Sequence, residues 1–339
     1  MRLSLFPARV AQVAVGRMPS RRQARHSGLA GVLLCTLVAT PAFGDSRPSR
    51  HDSLYVPAPP SPFTTVAFIE AVSAEMLLGH FAEAGYDLSA VRIGLSSVPR
   101  LYTATLPKDL RRLAVAEGRK EAFLGAMLPL VLMANEEILQ LRRRLEGLAE
   151  KTEAGEFLDA EELEWLFSLS ELYRTDPGDI GELLLRVDAL PVSLTLAQAI
   201  EESGWGTSRY ARDGNALFGQ RTWHSGVPAL SARKDGQALD HRARAFVDLM
   251  QSVRAYMHNL NTHPAYRKFR AERHRQREAG ELLDGAVLAG LLGSYAENEG
   301  YVANLHRLIR HNELDAYESA RLAPGAVAEA LSALAEPGG

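Results

Sequence analysis

Thiols are almost missing from this chain. Of its 339 residues only Cys35 is a cysteine, and it sits inside an early apolar run, "VLLCTLVA", that continues beyond it. Thiolate metal sites, a cysteine nucleophile and a disulfide framework are therefore excluded from everything downstream, and an oxidising compartment has nothing there to damage. An excess of one charge is missing too. Lysine plus arginine number 38 against 41 aspartate plus glutamate, a formal net charge of -3. Bulk attraction to a phosphate backbone is excluded, so no nucleic-acid partner is expected. There is no glycine-rich phosphate loop, no serine elbow and no H-E-x-x-H. His258 and His263, and His306 and His311, are each five apart and would turn to different faces of a helix. Neither a metal nor a cofactor is expected, and a monomer is.

What is present begins with an address. Arg21, Arg22 and Arg25 precede "GLAGVLLCTLVA", followed by the small residues of "TPAFGDS". The run is shorter than the ~20 apolar residues that span a bilayer, so residues 1–44 are expected to be an export signal, cut after Gly44, with the periplasm as destination. Residues 45–62 are rich in proline and serine, with too little apolar content to pack, and predict an extended linker.

Helical spacing dominates from there on. A helical region is expected over 63–155, opening with a threonine-capped helix and continuing through one short and one long helix. In the long one Phe123, Met127, Val131, Met133 and Ile138 face inward and Arg142 to Arg144 face out. A second helical domain is expected over 156–318 and an alanine-rich tail over 319–339. Between Gly219 and about Ala243 the helical period fails, which predicts loops or a small hairpin lobe. The basic run "RKFRAERHRQRE" predicts a solvated helix face.

Within the second domain, "LAQAIEESGWGTSRYARDGNALFGQ" (196–220) starts as an amphipathic helix and breaks into glycines. Pro191, Val192 and a Ser193 cap open that helix and Gly204 ends it, so Glu201 and Glu202 lie in its last turn. The negative end of the helix dipole disfavours a carboxylate there, and burial beside Trp205 would push the same way. The result suits a carboxylic acid that stays protonated near neutral pH, a general acid. Successive helix residues point ~100° apart, so only one of the two can face a cleft. Glu201 follows Leu194 and Ala197, whereas Glu202 shares the more polar side with Thr195 and Gln198, which makes Glu202 the choice and Gln198 a candidate for the site lining. Trp205, Asn215, Phe218 and Trp223 flank it and could meet sugar faces, Trp223 as the better platform and Phe218 more as packing.

The segment "AQAIEESGWGTSRYARDGNALFG" resembles the hallmark of the bacterial glucosaminidase family of peptidoglycan hydrolases, closest to its Bax-type members through "FGQRTW", "YMHNLNTHPAYR" and "MLPLVLMANEEI". The resemblance implies a mainly α, lysozyme-like domain with a small β-lobe, acting on peptidoglycan glycan strands as an endo-β-N-acetylglucosaminidase. It implies that Glu202, directly before S-G-W, is the essential acid. It also implies roles for the tyrosines of "GSYAENEGYVANLHRLI": Tyr295 at the reacting sugar and Tyr301 as a substrate contact. Here Glu297, Asn298 and Asn304 depart from the family pattern. Some members place a second carboxylate in the β-lobe. That stretch has no glutamate in this chain, which leaves Asp235 and Asp240, or attack by the substrate's own acetamido oxygen. Two rivals stay open: a lysozyme or lytic transglycosylase cutting after N-acetylmuramic acid, and a wall-binding scaffold with a decayed site.

Overall fold

A computed structural model of the chain describes residues 66–325 apart from 114–115, 224, 235–236, 294 and 296–299, and omits the side chains of 116–117 and 232–241 as well. The expected leader and linker, and the tail beyond residue 325, lie outside the described residues. The order of elements is β1 (Ala67–Ile69), α1 (Ala74–Glu83), α2 (Leu88–Arg92), β2 (Leu101–Thr103), α3 (Ala116–Glu153), α4 (Ala160–Tyr173), α5 (Ile180–Arg186), α6 (Val192–Ser203) and α7 (Arg209–Gly214). It continues with β3 (Arg221–Thr222), β4 (Ala229–Lys234), β5 (Gln237–Arg244), α8 (Leu249–Thr262), α9 (Arg267–Glu278), α10 (Gly285–Ala289) and α11 (Tyr301–His311). Short 3-10 turns precede α3 at Leu110–Arg112 and follow α11 at Leu314–Tyr317. The architecture is mainly helical. Among the described residues the larger sheet is the antiparallel β3-β5-β4 lobe, where the helical period was expected to fail.

α3 is long and apolar enough to cross a membrane by length and composition, yet 83% of that apolar window is buried inside the protein. It is the core helix. Phe123, Met127, Val131, Met133 and Ile138 are all inside, as their spacing predicts. Arg142 is a correction, because it too is buried. Its guanidinium donates to the carbonyls of Leu184 (2.7 Å) and Val187 (3.2 Å), at the C-terminal end of α5, where helix carbonyls need donors. The expected threonine cap is a second correction. Ala67–Ile69 is a strand paired in parallel with Leu101–Thr103, and the helix starts only at Ala74, with Ser73 accepting from the Met76 amide. The pairing partner lies more than thirty residues away, beyond the reach of local periodicity.

The basic run of α9 differs from its expectation as well. Arg270 and Arg273 are buried, and Arg277 grips the Asp188 carboxylate through two nitrogens. Arg273 donates to Asn261 Oδ1 (2.6 Å) and to the carbonyls of Leu185, Asp188 and Ala189. Arg273 thus satisfies backbone oxygens of the segment leading into α6 and Arg270 those of Leu260 and His263, so part of the run is internal scaffolding.

α6 is buried all round from Val192 to Ile200, which marks the centre of a fold and not its surface. It packs against α3, α10, α11 and the 3-10 turn at Leu314–Tyr317. Its N-terminus corrects another expectation. Ser193 is inside the helix, Pro191 is the N-cap residue and offers no side-chain acceptor, and the cap is supplied by Glu318. That carboxylate accepts from the amides of Val192 and Ser193, both at 2.9 Å, and from the Ser193 hydroxyl. Burial drives the Glu318 pKa up to about 7, and the three donors hold it from rising further. Removing the acceptor orphans two buried amides. Glu318→Ala is expected to destabilise the protein by about 1–3 kcal/mol, and Glu318→Gln by less. Urea melts check this, and an unchanged midpoint for Glu318→Ala would refute the capping role.

Candidate active site

The C-terminus of α6 is built to stop abruptly. Gly204, Trp205 and Gly206 all take left-handed backbone, at φ 58°, 58° and 72°. That is costly for a residue as bulky as tryptophan and is tolerated where the surroundings enforce it. The enforcement is visible. The Ser203 hydroxyl accepts from the Gly206 amide at 2.8 Å and donates back to the Ala199 carbonyl. A Cβ on Gly206 would stand 2.4 Å from Leu106 Cδ1, so the turn is pressed against the floor formed by the 100–125 region. The half-buried Trp205 ring packs edge-on against Phe123, 5.8 Å between centroids, with Lys120 above it at 5.7 Å.

The two glutamates part company at this end. Glu201 accepts from Asn304 Nδ2 on α11, and Arg307 in turn donates to Asn304 Oδ1. The asparagine that departs from the family pattern thus pairs with Glu201. Glu202 turns the other way, against the loop that follows α7. A Cβ on Gly219 would lie 2.6 Å from its Oε2, and Gly219 has φ +62°, so glycine is required there twice over, by backbone conformation and by the approach of the carboxyl. The Tyr301 phenol lies beside it and favours its charged form. Burial raises its pKa to about 7, with a further push from Glu201, while Tyr301 and Arg221 pull it down. A carboxyl with these properties holds its proton up to neutrality.

Several of the residues expected around Glu202 have partners that sequence spacing does not show. Gln198 is fully buried and faces no open groove. It accepts from the Tyr256 hydroxyl and donates to Tyr301 Oη at 2.7 Å, so the more polar side of α6 is polar toward the interior. Tyr301 is buried as well, at the start of α11. Tyr295 donates its hydroxyl to the Phe218 carbonyl at 2.7 Å and stacks on Tyr301, 5.7 Å apart and 6° from parallel. Phe218 stacks in turn on Tyr256 at 4.0 Å beneath the loop. Asn215 caps α7 in left-handed backbone, and its amide donates to the carbonyls of Phe246 (3.2 Å) and Val247 (3.1 Å), which is a loop-fixing arrangement.

Trp223, just after β3, is 64% exposed. Asp240 lies on β5 and its side chain is not described, while Asp235 falls outside the described residues. Asp248 belongs to α8, whose N-terminus it caps by accepting from the Gln251 amide. Sequence reasoning missed two groups, Arg221 and Tyr256. The first is one of many scattered arginines, and the second comes from α8 with no spacing relation to α6. Among the described residues no group of three or more histidine, cysteine or acidic side chains is placed to hold a metal ion.

The family model described as "Glucosaminidase: Mannosyl-glycoprotein endo-beta-N-acetylglucosaminidase" matches residues 180–314, the span that contains Glu202, Gly219, Tyr295 and Tyr301. Among curated proteins, Protein bax of Escherichia coli (strain K12) is 32% identical over 218 residues, which is 62% of this chain and 76% of that one. Among solved structures, the catalytic domain of the autolysin Auto from Listeria monocytogenes is 14% identical, covering 61% of this chain and 92% of that one, with a TM-score of 0.35, too loose a superposition to argue from. On the strength of the family match over the site and the kinship with Protein bax, the chain belongs to the glucosaminidase family of peptidoglycan hydrolases and is a glycoside hydrolase.

Proposed function

We propose that this protein is an exported endo-β-N-acetylglucosaminidase that hydrolyses peptidoglycan glycan strands at the bond following N-acetylglucosamine, with Glu202 as general acid. The observation that carries the reading is the placement of the Glu202 carboxyl. It is half-buried and pressed against the Gly219 backbone, with a pKa of about 7 set first by burial. Glu202 gives its proton to the bridging oxygen as the bond to the anomeric carbon breaks, and the departing sugar leaves as an alcohol. Positive charge develops at the anomeric carbon. It is quenched by a water molecule activated on the β-lobe, where Asp240 and Asp235 are the available carboxylates, or by the substrate's own acetamido oxygen.

Trp223 at the exposed edge of the lobe is the stacking platform for a sugar ring. Tyr295, whose proton is given to the Phe218 carbonyl, acts by holding the loop that carries Gly219 over Glu202. Gln198, Asn215 and Phe218 serve the same geometry from inside and do not touch the glycan.

The acid works only while protonated. As pH rises through about 7 Glu202 ionises, so kcat/KM is expected to be flat below neutrality and to fall about tenfold per pH unit above it. A rate–pH profile on purified sacculi reads this directly, and a profile that rises through pH 7 would contradict the assignment. Glu202→Gln keeps the shape and removes the proton, with an expected loss of about 10²–10⁴ in turnover and retained binding to sacculi. Mass spectrometry of the wild-type digest should find new reducing N-acetylglucosamine ends. Anhydromuramic ends would indicate a transglycosylase, and an inactive wild type that still binds would indicate a scaffold.

Gly219→Ala pushes a methyl group into the Glu202 carboxyl from a backbone already at positive φ. A displacement of the acid by about 1 Å costs on the order of 100-fold in kcat. Steady-state kinetics beside a thermal melt check this, and full activity in a folded Gly219→Ala protein would show that the close approach does not matter.

A further inference from the structure

A carboxyl group of the substrate lies next to the bond assigned to Glu202. The proton goes to the bridging oxygen that leaves with N-acetylmuramic acid, and the ring carbon beside that oxygen bears a lactyl ether. The lactyl carboxyl is a free anion where the strand carries no peptide and a neutral amide where it does. Any pose that brings the bridging oxygen to Glu202 brings this group with it.

The residue placed to meet it is Arg221. A Cβ on Gly219 would lie 2.6 Å from Glu202 Oε2, and Arg221 follows two residues later, so its Cα is within about 7 Å of the Gly219 Cα. Strand pairing gives the direction. Arg221 and Leu230 both stand opposite Ala243 of β5, and residues directly opposite in antiparallel strands share a face. On that face Leu230 abuts the end of α7, where a Cβ on Gly214 would meet its Cδ1 at 2.9 Å. Arg221 therefore belongs to the side of the lobe turned toward α7 and the loop that touches the acid, whereas Arg242 and Arg244 alternate to the other side. It is exposed, and the exposed Trp223 comes two residues further on.

A cation here works against the acid. Arg221 favours the charged form of Glu202, which must stay neutral to donate. The opposition ends once an anion from the substrate is seated on the guanidinium, because the two charges then offset each other at Glu202. Glu201, Tyr256, Tyr295 and Tyr301, which also act on Glu202 or feel its charge, bring no positive charge to such an anion. A guanidinium fork matches a carboxylate through two parallel bonds, a match that an amide cannot offer.

Resting on the reading of Glu202 as the acid and of the bond it cuts, we propose that Arg221 is a specificity-determining residue that binds the free lactyl carboxylate of N-acetylmuramic acid on the leaving side of the cut. The enzyme then prefers glycan strands stripped of their peptides. Hydrolysis of the amide between the lactyl group and the peptide is the class of reaction that must supply this substrate.

The test compares soluble glycan strands that keep their peptides with the same strands after treatment with an amidase. Wild-type kcat/KM is expected to be about tenfold higher on the stripped strands, mainly through a lower KM. Arg221→Gln is expected to lose about tenfold on stripped strands and only about threefold on peptide-bearing ones, so that most of the preference disappears. Arg221→Lys keeps the charge without the fork and is expected to fall between wild type and Arg221→Gln. A wild type indifferent to the peptide, or one that favours strands retaining it, overturns the proposal. An equal loss on both substrates in Arg221→Gln overturns it too, because the residue would then act on Glu202 or on the packing of the lobe. Two other results strike the underlying reading instead. Retained turnover in Glu202→Gln removes the acid, and new reducing ends on N-acetylmuramic acid place the lactyl group on the wrong side of the cut. With Glu202→Gln inactive and the ends on N-acetylglucosamine, a lack of peptide discrimination removes the role of Arg221 alone.

Discussion

The site depends on the immobility of one helix terminus. A carboxyl can act as a positioned acid only if the backbone beneath it does not move, and α6 is buried from Val192 to Ile200 and fastened at both ends. At its start the Glu318 carboxylate supplies the cap that Pro191 lacks. At its end Ser203 ties Ala199 to Gly206 across the turn that changes direction at Gly204. The negative end of the helix dipole then falls on Glu202, where it works with burial to keep the proton on. A mobile loop would allow water in and relax the pKa toward its ordinary value, so rigidity here and a retained proton have one cause.

The opposing wall is fixed by different bonds. Residues 215–219 carry no regular structure, yet Asn215 is held to the carbonyls of residues 246 and 247, Leu217 N donates to Ser252 Oγ on α8, and the Phe218 carbonyl accepts from Tyr295. Each anchor comes from a separate part of the chain. The aromatic stack from Phe218 through Tyr256 fills the space beneath. Gly219 is thereby brought to the carboxyl of Glu202 as a fixed backbone surface, and preorganisation of this kind lets a polar site act without rearranging during the reaction.

The placement of Glu202 at a buried helix end, turned away from Glu201, was legible in the sequence because helix periodicity, the glycine stop and the dense local motif all bear on one short stretch. The β-lobe was legible from the failure of that same period. The roles of the polar residues around it were not. Helical spacing places Gln198 and Thr195 on the face of Glu202 but cannot say whether that face looks at solvent or at α8 and α11, and both residues turn out to be buried. The basic run of α9 was misread for a similar reason. Charge in sequence predicts exposure only when no buried acceptors await it, and here Asp188 and a set of free carbonyls do. The cap at Glu318 comes from 125 residues downstream of Ser193, a distance at which local rules say nothing.

The region ahead of the family-matched span 180–314 is part of the same machinery. Trp205 rests on Phe123 and beneath Lys120, and Gly206 is pressed against Leu106 and Leu110, all of them outside that span. Two ion pairs extend the fastening. Arg254 on α8 meets Glu137 on α3, and Arg100 grips Glu136 through two nitrogens while donating to the Ala323 carbonyl beyond α11. α3 therefore braces both the turn that aims Glu202 and the helix that carries Tyr256. Cutting the chain at the family boundary would leave the strained Gly204–Gly206 turn without the floor that holds a tryptophan at φ 58°. An energetically unfavourable backbone persists only where its surroundings over-determine it. By that criterion the helical region before residue 156 is a structural requirement of the site.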